Sequence, residues 1–229
     1  MPENNKRIFA VLAIILLILR LFLVGNFMLI SFEGIDFCGK STQIAMLESY
    51  FRSSGRCFKT VREPGGNELS EKLRDILLNS KSEIDEVTEI FLFSAARSYL
   101  VKQVINKELA NGNIIICDRF FDSTLAYQGY GRKGDVEAIK SINALAVGTT
   151  IPDITLFIDI SLDTMRLRSG GMVHDRIESS GIEFYTRVRD GYRQIASDNP
   201  DRIITINGEE SPEKVFAQIQ KSIEKYEKR

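Results

Sequence analysis

Leu29-Ile-Ser-Phe-Glu-Gly-Ile-Asp-Phe-Cys-Gly-Lys-Ser-Thr-Gln43 carries the strongest structural signal in the chain. Its apolar start, residues 29–32, predicts a buried strand, and the spacing of apolar residues between 44 and 51 predicts a helix after it. The pattern Gly34-x-x-x-x-Gly39-Lys40-Ser41 lies between the two. A glycine-bounded turn of this kind between a strand and a helix is typical of a P-loop. We therefore expect this stretch to bind the phosphates of a nucleotide.

The chemistry of a P-loop assigns roles to its residues. The glycines let successive backbone N–H groups turn inward, and the helix N-terminus adds a partial positive charge. Lys40 is expected to reach the β- and γ-phosphates of ATP, and the Ser41 hydroxyl is expected to hold Mg²⁺. The predicted ATP-binding residues are Gly34, Ile35, Asp36, Phe37, Cys38, Gly39, Lys40, Ser41 and Thr42.

Strand and helix patterns alternate along the rest of the chain. The predicted strands are residues 29–32, 57–61, 114–117, 154–160 and 202–206, and the further predicted helices are residues 68–78, 85–110, 183–196 and 212–228. This alternation predicts an α/β fold with three α/β/α layers around a five-stranded parallel sheet. Ligands bind beyond the carboxyl ends of the strands in such sheets. Gly34, Arg62-Glu63 and Asp118-Arg119 all follow predicted strand ends.

The composition limits the partners and the compartment. The 229 residues include 30 basic and 31 acidic side chains, and the formal net charge of −1 gives no overall attraction to nucleic acid. Three cysteines, Cys38, Cys57 and Cys117, are too few for a disulfide framework, so a reducing, cytoplasmic location is expected. Cys57 and Cys117 fall in apolar strand patterns and are expected in the core. Cys38 is then the expected reactive thiol, because a turn of inward-facing amides favours the thiolate.

The first 27 residues differ from the rest of the chain. Residues 8–24 are apolar except for Arg20, and this run is shorter than the about 20 residues that a membrane-spanning helix needs. Three explanations stay open. The true start is Met28, or the run is a membrane anchor, or it is an export signal that lacks an A-x-A-like cleavage site. The expected organisation is an extension over residues 1–27 and one domain over residues 28–229, with no membrane contact unless the apolar run is retained as an anchor.

Four motifs together resemble thymidylate kinase (dTMP kinase) of the bacterial type. They are Phe32-Glu-Gly-x-Asp36, Arg62-Glu-Pro-Gly-Gly66, Phe93-Ser-Ala-Ala-Arg97 and Asp118-Arg-Phe-Phe-Asp-Ser-Thr-Leu-Ala-Tyr-Gln-Gly129. The resemblance extends from Met28 to the C-terminus. It implies phosphorylation of dTMP to dTDP by ATP with Mg²⁺, and a homodimer formed through helices beside the sheet.

The resemblance also implies an acceptor site. An aromatic ring in the position of Phe93 stacks on thymine, and an arginine in the position of Arg97 binds a carbonyl oxygen of the base. The two residues are four apart on a predicted helix and share one face, although Phe93 also fits a core position. The implied substrate-binding residues are Glu63, Pro64, Arg74, Phe93, Arg97, Arg119, Thr124 and Gln128, and the implied catalytic residues are Asp36, Lys40 and Arg119.

Two departures from the family pattern concern the P-loop and the lid. Phe37-Cys38 replaces two small residues, so the Phe37 ring is expected to point away from the phosphates. Asp175-Arg-Ile-Glu178 resembles the end of the family's lid, and His174 before it is expected to be a surface residue. Because the P-loop has no arginine, one lid arginine is expected to face the transferred phosphate, and the choice among them stays open. The lid arginines are Arg166, Arg168 and Arg176.

Two other functions stay open at the level of sequence. The chain could be another nucleoside or nucleoside-monophosphate kinase, with a different acceptor in the same site. It could also be a membrane-tethered protein that binds nucleotide without transferring phosphate, which would leave Phe93, Arg97 and the segment after Asp118 without a purpose. The expected partners are dTMP, ATP and a second copy of the chain, with no nucleic acid.

Overall fold

The computed structural model describes residues 27–80, 82–170 and 181–228, and a single sheet organises them. Its strands are β1 (Leu29–Glu33), β2 (Phe58–Arg62), β3 (Ile114–Asp118), β4 (Ile154–Asp159) and β5 (Ile203–Asn207). They are all parallel, in the spatial order β2–β3–β1–β4–β5. The predicted α/β fold with a five-stranded parallel sheet is therefore confirmed.

Helices cover both faces of the sheet. They are α1 (Lys40–Ser53), α2 (Glu68–Asn79), α3 (Glu86–Leu100), α4 (Asn106–Ala110), α5 (Phe121–Thr124), α6 (Val136–Val147), α7 (Leu162–Ser169), α8 (Ile182–Asp198) and α9 (Pro212–Glu227). Two segments are π-helical, Val101–Ile105 between α3 and α4 and Leu125–Gly131 after α5.

The central strand, β1, is buried on both faces. Met28, Ile30 and Phe32 belong to the core cluster that includes α1 and α9, whereas Leu29 belongs to a second cluster with the end of α3. The alternation follows from the two-residue period of a strand. Glu33, the last residue of β1, is also fully buried, and it belongs to the site described below.

Side-chain caps set the starts of several helices. Asn67 and Asp85 accept hydrogen bonds from the first turns of α2 and α3, and Asp135 does the same for α6. Helix α1 differs, because it follows Gly39 at a φ of 100° and has no side-chain cap. Its first N–H groups are the ones that a P-loop offers to a ligand.

The observed elements differ from the predicted ones in three places. The helix predicted over residues 85–110 contains the π-helical turn Val101–Ile105, which apolar spacing does not reveal because the chain stays helical through it. Cys57 precedes the edge strand β2 and is exposed, so the prediction that it is a core residue is wrong. Cys117 is buried, as predicted. Helices α5, α6 and α7 lie outside the predicted helices.

The N-terminal part of the described chain enters the core at Met28. Phe27 is exposed, and Met28 is buried. The apolar run 8–24 lies outside the described residues, so its three explanations stay predictions. Within the ranges that the structure describes, no helix is long and apolar enough to span a bilayer.

Candidate active site

The P-loop follows β1 at the carboxyl edge of the sheet. Gly34 and Gly39 have φ angles of 141° and 100°, which side-chain-bearing residues rarely adopt. A Cβ on Gly34 would lie 2.6 Å from the carbonyl oxygen of Ile158, so this glycine also lets the loop pass close to β4. Phe37 has a φ of 61° and packs at the edge of the main core, in agreement with a ring that turns away from the phosphate side.

Lys40 folds back into the turn of the P-loop. Its Nζ donates to the carbonyl oxygens of Gly34 and Ile35 at 3.2 and 3.1 Å, and it lies 3.6 Å from Cys38 Sγ. The ammonium group is therefore inside the loop, where a phosphate chain needs a counter-charge. Cys38 is buried, which makes its thiol less accessible than the sequence suggested.

A shallow cavity beside the loop has two oxygen-bearing side chains from the start of α1 and the end of β3 in its lining. Ser41 at the start of α1 and Asp118 at the end of β3 both line it. Mg²⁺ usually takes one or two such protein oxygens and completes its coordination with waters and phosphate oxygens. The described residues contain no group of three His, Cys, Asp or Glu side chains that could hold a metal. The Ser41 hydroxyl and the Asp118 carboxylate therefore fit a cation whose other ligands are waters and the phosphate oxygens of a nucleotide.

Arg119 joins β3 to the P-loop. It has a left-handed φ of 69°, and its Nη1 donates to the Gly34 carbonyl oxygen at 2.9 Å. Its Nη2 donates to Asp36 Oδ1. Burial by itself would raise the pKa of Asp36, but Arg119 and then Lys40 hold that pKa below its ordinary value. Asp36 is therefore ionised at neutral pH.

Tyrosine hydroxyls complete the shell around Asp36. Tyr127 and Tyr185 both donate to Asp36 Oδ2 at 2.8 Å. Tyr192 donates to Glu33 Oε2 at 2.9 Å. Because Tyr185 and Tyr192 both come from α8, this helix fixes both carboxylates.

Glu33 ties the end of β1 to the segment after β3. Its Oε1 accepts from the Phe120 backbone N–H at 2.7 Å, and its Oε2 accepts from Ser123 Oγ at 2.5 Å. Burial, and then the nearby Asp122 carboxylate, raises the pKa of Glu33. These contacts hold the residues that follow Arg119 against the central strand.

A deeper cavity opens between the P-loop, the loop after β2, α3 and the π-helical segment Leu125–Gly131. It is lined by Asp36, Glu63, Pro64, Arg74, Leu78, Phe93, Arg97, Arg119, Phe120, Ser123, Thr124, Tyr127 and Gln128. This set includes every residue that the sequence assigned to substrate binding. The structure thus brings together residues that are far apart in the chain.

Arg97 is almost completely buried at the bottom of this cavity. Its Nε donates to Glu63 Oε2 at 2.7 Å, its Nη1 to Asn143 Oδ1 at 2.8 Å and its Nη2 to Thr124 Oγ1 at 2.8 Å. Burial raises the pKa of Glu63 to about 7, although Arg97 acts in the opposite direction. The guanidinium is therefore held rigidly by three structural elements.

Two further hydrogen bonds fix groups that line the cavity. Arg74 Nη1 donates to the Pro64 carbonyl oxygen at 2.9 Å, which holds the loop after β2 at the cavity mouth. Gln128 Nε2 donates to Glu89 Oε1 at 2.7 Å. Phe93 lines the cavity and also packs against the main core, and its stacking on a base stays a prediction.

The predicted lid arginines are only partly within the described structure. Arg168 Nη1 donates to the Cys38 carbonyl oxygen at 3.2 Å, and its Nη2 donates to the Gly208 carbonyl oxygen at 2.9 Å. Arg166 is in the same last turn of α7 and is exposed. Arg176 and His174 lie outside the described residues.

Several residues of the site had no role in the sequence analysis. Glu33, Ser123 and Tyr127 are inside the quoted motifs, and their proximity to Asp36 and Arg119 in sequence was the available signal. The others come from α6 and α8, which carry no motif that points to them. They are Asn143, Tyr185 and Tyr192.

Known proteins resemble this chain over the same fold and site. The family model for thymidylate kinase matches residues 32–219. A thymidylate kinase of Chlorobaculum tepidum is 43% identical over 207 residues, which cover 86% of this chain and 97% of the relative. One of Caldanaerobacter subterraneus subsp. tengcongensis is 41% identical over 197 residues, which cover 86% and 95%.

A solved structure leads to the same family. The crystal structure of thymidylate kinase from Ehrlichia chaffeensis has a TM-score of 0.72 and 36% sequence identity to this chain, and the match covers 86% of this chain and 99% of that one. The family model spans the P-loop and every residue that lines the deeper cavity. The chain therefore belongs to the thymidylate kinase family.

Proposed function

We propose that the site described above transfers the γ-phosphoryl group of ATP to the phosphate of dTMP, giving dTDP. The main observation in support of this proposal is the position of Arg119. Its guanidinium contacts Gly34 and Asp36 of the P-loop, and it also lines the deeper cavity. One cation thus borders the donor loop and the acceptor cavity. Membership of the family disfavours both a different acceptor and a protein without transfer activity.

The residues divide between the two substrates. Lys40 and the inward-facing N–H groups of the P-loop hold the phosphates of ATP, while Arg74 and Arg119 hold the phosphate of dTMP. Asp36 is fixed by hydrogen bonds from two tyrosines. It holds Arg119 between the phosphates of ATP and the phosphate of dTMP. Phosphoryl transfer needs mainly alignment and neutralised charge, so no covalent nucleophile is required.

Ser41 and Asp118 would hold Mg²⁺ together with the phosphates of ATP. The cation would neutralise part of the charge on the β- and γ-phosphates. The two side chains that line the shallow cavity support this assignment. The protein's share of the work is to keep these oxygens at the start of α1 and at the end of β3, next to the donor loop.

The base is proposed to lie against Phe93, with Arg97 donating to one of its carbonyl oxygens. Thr124 and Gln128 border the same cavity. Of the two lid arginines within the described structure, Arg168 is the better candidate for the donor phosphates, because it contacts the P-loop backbone at Cys38.

A homodimer through α2 and α3 would cover apolar side chains that these helices expose. Leu69 and Ile76 on α2 and Val87 and Phe91 on α3 are large and exposed. Val87 and Phe91 are four residues apart and share one face of the helix. Light scattering should give twice the monomer mass, and Phe91→Glu should give the monomer mass. A monomeric wild type would contradict this part of the proposal.

A cytoplasmic location is proposed because the reaction consumes ATP. The three free cysteines are also compatible with a reducing compartment.

The experiment for the proposed function is a coupled ADP-release assay. The acceptors are dTMP, dUMP, CMP, AMP and thymidine, each tested with ATP and Mg²⁺. We expect the highest kcat/KM with dTMP. A higher value with CMP, AMP or thymidine would overturn the assignment of the acceptor, and no ADP release with any of them would overturn the transfer activity.

A further inference from the structure

Gln128 is held by a buried side chain that does not line the cavity. Its Nε2 donates to Glu89 Oε1 at 2.7 Å, and both side chains are almost fully buried. Arg132 Nε lies 3.6 Å from the same carboxylate oxygen. Gln128 lines the cavity, whereas Glu89 is behind it, on the first turn of α3.

The partner fixes the orientation of the Gln128 amide. A carboxylate only accepts hydrogen bonds, so Glu89 requires the NH₂ group of the amide and repels its oxygen. Turning the amide over would bring two acceptors together in a buried place, at the cost of an unsatisfied group. The oxygen of Gln128 is therefore the atom available to a ligand, and in the described part of the chain it receives no hydrogen bond.

Arg97 supplies a donor in the same cavity. A guanidinium has five N–H groups, and Glu63, Asn143, Thr124 and the Phe120 carbonyl oxygen account for four of them. Among the described residues the fifth has no partner. The cavity thus offers one N–H donor from arginine and one acceptor from the fixed amide.

This pair of groups matches one class of pyrimidine. Thymine and uracil present a carbonyl oxygen at position 4 beside an N–H at position 3. Cytosine presents the opposite order, an amino group beside a bare ring nitrogen. An arginine donor and an amide oxygen therefore complement thymine and oppose cytosine.

We propose that Glu89 is a positioning residue that sets base selectivity, because it fixes the oxygen of Gln128 towards ring position 3. The inference rests on the proposed function, in which the acceptor base lies against Phe93 and Gln128. Rejection of a cytosine nucleotide then depends on a carboxylate that does not contact the substrate.

The test uses the isosteric substitution Glu89→Gln and two acceptors, dTMP and 5-methyl-dCMP. Their bases differ only at ring positions 3 and 4. An amide at position 89 accepts or donates, so Gln128 becomes free to turn its NH₂ group towards the ring nitrogen of 5-methylcytosine. We expect the ratio of kcat/KM for dTMP to that for 5-methyl-dCMP to fall roughly tenfold or more. Most of this change should be a gain with 5-methyl-dCMP.

Two further variants separate positioning from structure. Glu86→Gln makes the same chemical change at an exposed position on α3 and should leave the ratio unchanged. In a Gln128→Met background there is no amide to orient, so adding Glu89→Gln should not change the ratio further.

The outcomes distinguish this inference from the proposed function. Glu89 is merely structural, and the inference is overturned, if Glu89→Gln lowers kcat/KM equally for dTMP and 5-methyl-dCMP. The same conclusion follows if Glu89→Gln lowers the ratio of the two kcat/KM values as much in the Gln128→Met background as in the wild type. If the wild type does not phosphorylate dTMP, the proposed function fails first and the inference fails with it.

Discussion

Arg97 Nε and Glu63 Oε2 are 2.7 Å apart, and neither side chain is more than 4% exposed. The arginine proposed to read the base is therefore also half of a buried ion pair between α3 and the loop after β2. Removing one partner of such a pair costs about 3–5 kcal/mol, because the other charge stays buried. Arg97→Ala would thus mix a loss of stability with a loss of substrate binding.

Arg97→Lys avoids this problem, because it keeps a positive charge opposite Glu63 and loses only the planar fork of donors. We expect the KM for dTMP to rise about ten- to hundredfold, the range for a lost hydrogen bond to a charged group. The KM for ATP should change little, because ATP binds at the P-loop. Steady-state kinetics with each nucleotide varied in turn gives both constants. An equal rise for ATP would mean that Arg97 does not read the base.

Arg119→Lys should act on turnover. The substitution keeps the charge and loses the two-point contact with Gly34 and Asp36. We expect kcat to fall about 100- to 1,000-fold, as when one preorganised donor to a developing charge is lost. Arg193→Lys is the matched control and should keep a normal kcat. Arg193 is on α8 and pairs with Asp159 at the end of β4. A normal kcat for Arg119→Lys would remove Arg119 from the catalytic set.

Glu63 should make the stability depend on pH. Burial raises its pKa from 4.5 to about 7 in the folded chain, so the folded state keeps a proton that the unfolded state loses. This contribution is fully present below pH 4.5 and is lost as the pH rises through about 7. The loss is at most about 3 kcal/mol. Glu63→Gln lacks this titration, so its unfolding free energy should vary less across the same window, as measured by denaturant unfolding. Parallel curves for the two proteins would show that Glu63 is ionised throughout.

The three thiols should react with an alkylating reagent in an order set by burial. Cys57 is exposed, while Cys38 and Cys117 are buried. Burial and the nearby Glu63 carboxylate also raise the pKa of Cys117. We expect Cys57 to react first and Cys117 last, and ATP to slow only Cys38, which is inside the P-loop. Mass spectrometry of the alkylated peptides measures each rate. Protection of Cys57 by ATP would be inconsistent with this site.

We propose that residues 28–229 form one domain that does not need residues 1–27, so a chain that starts at Met28 should keep the Tm and kcat of the 229-residue chain. Met28 is buried, and its carbonyl oxygen accepts from the Ile115 N–H at 2.8 Å. Leu29 N donates to Asp153 Oδ2 at 2.7 Å. A chain that starts at Ser31 loses these contacts and should have a lower Tm. An inactive Met28 form beside an active longer form would show that the extension belongs to the fold.

Elements with a local sequence signature could be predicted without the structure. The P-loop residues follow from one continuous stretch, and the parallel sheet follows from apolar strands that alternate with helical spacing. The residues implied for the acceptor site also meet in one cavity. Glu63 and Arg119 follow β2 and β3, whose carboxyl ends lie at the same edge of the sheet, whereas Phe93 and Arg97 are on α3 and reach the cavity through the packing of that helix. Cys57 shows the limit of this reasoning, since an apolar pattern does not distinguish a strand from the residue just before an exposed edge strand.

The partners of the buried polar groups were decided only by the tertiary structure. Glu63 pairs with Arg97 and Gln128 with Glu89, across 34 and 39 residues of sequence. Asp36 accepts from Tyr185 at a separation of 149 residues. Residue type shows that a buried charge needs a partner, but not which partner, because that depends on which helix faces meet. The sequence by itself determined the P-loop and the sheet, and its motifs implied the substrate-binding residues that line part of the cavity. Packing of α3, α6 and α8 against them determined how each side chain is held.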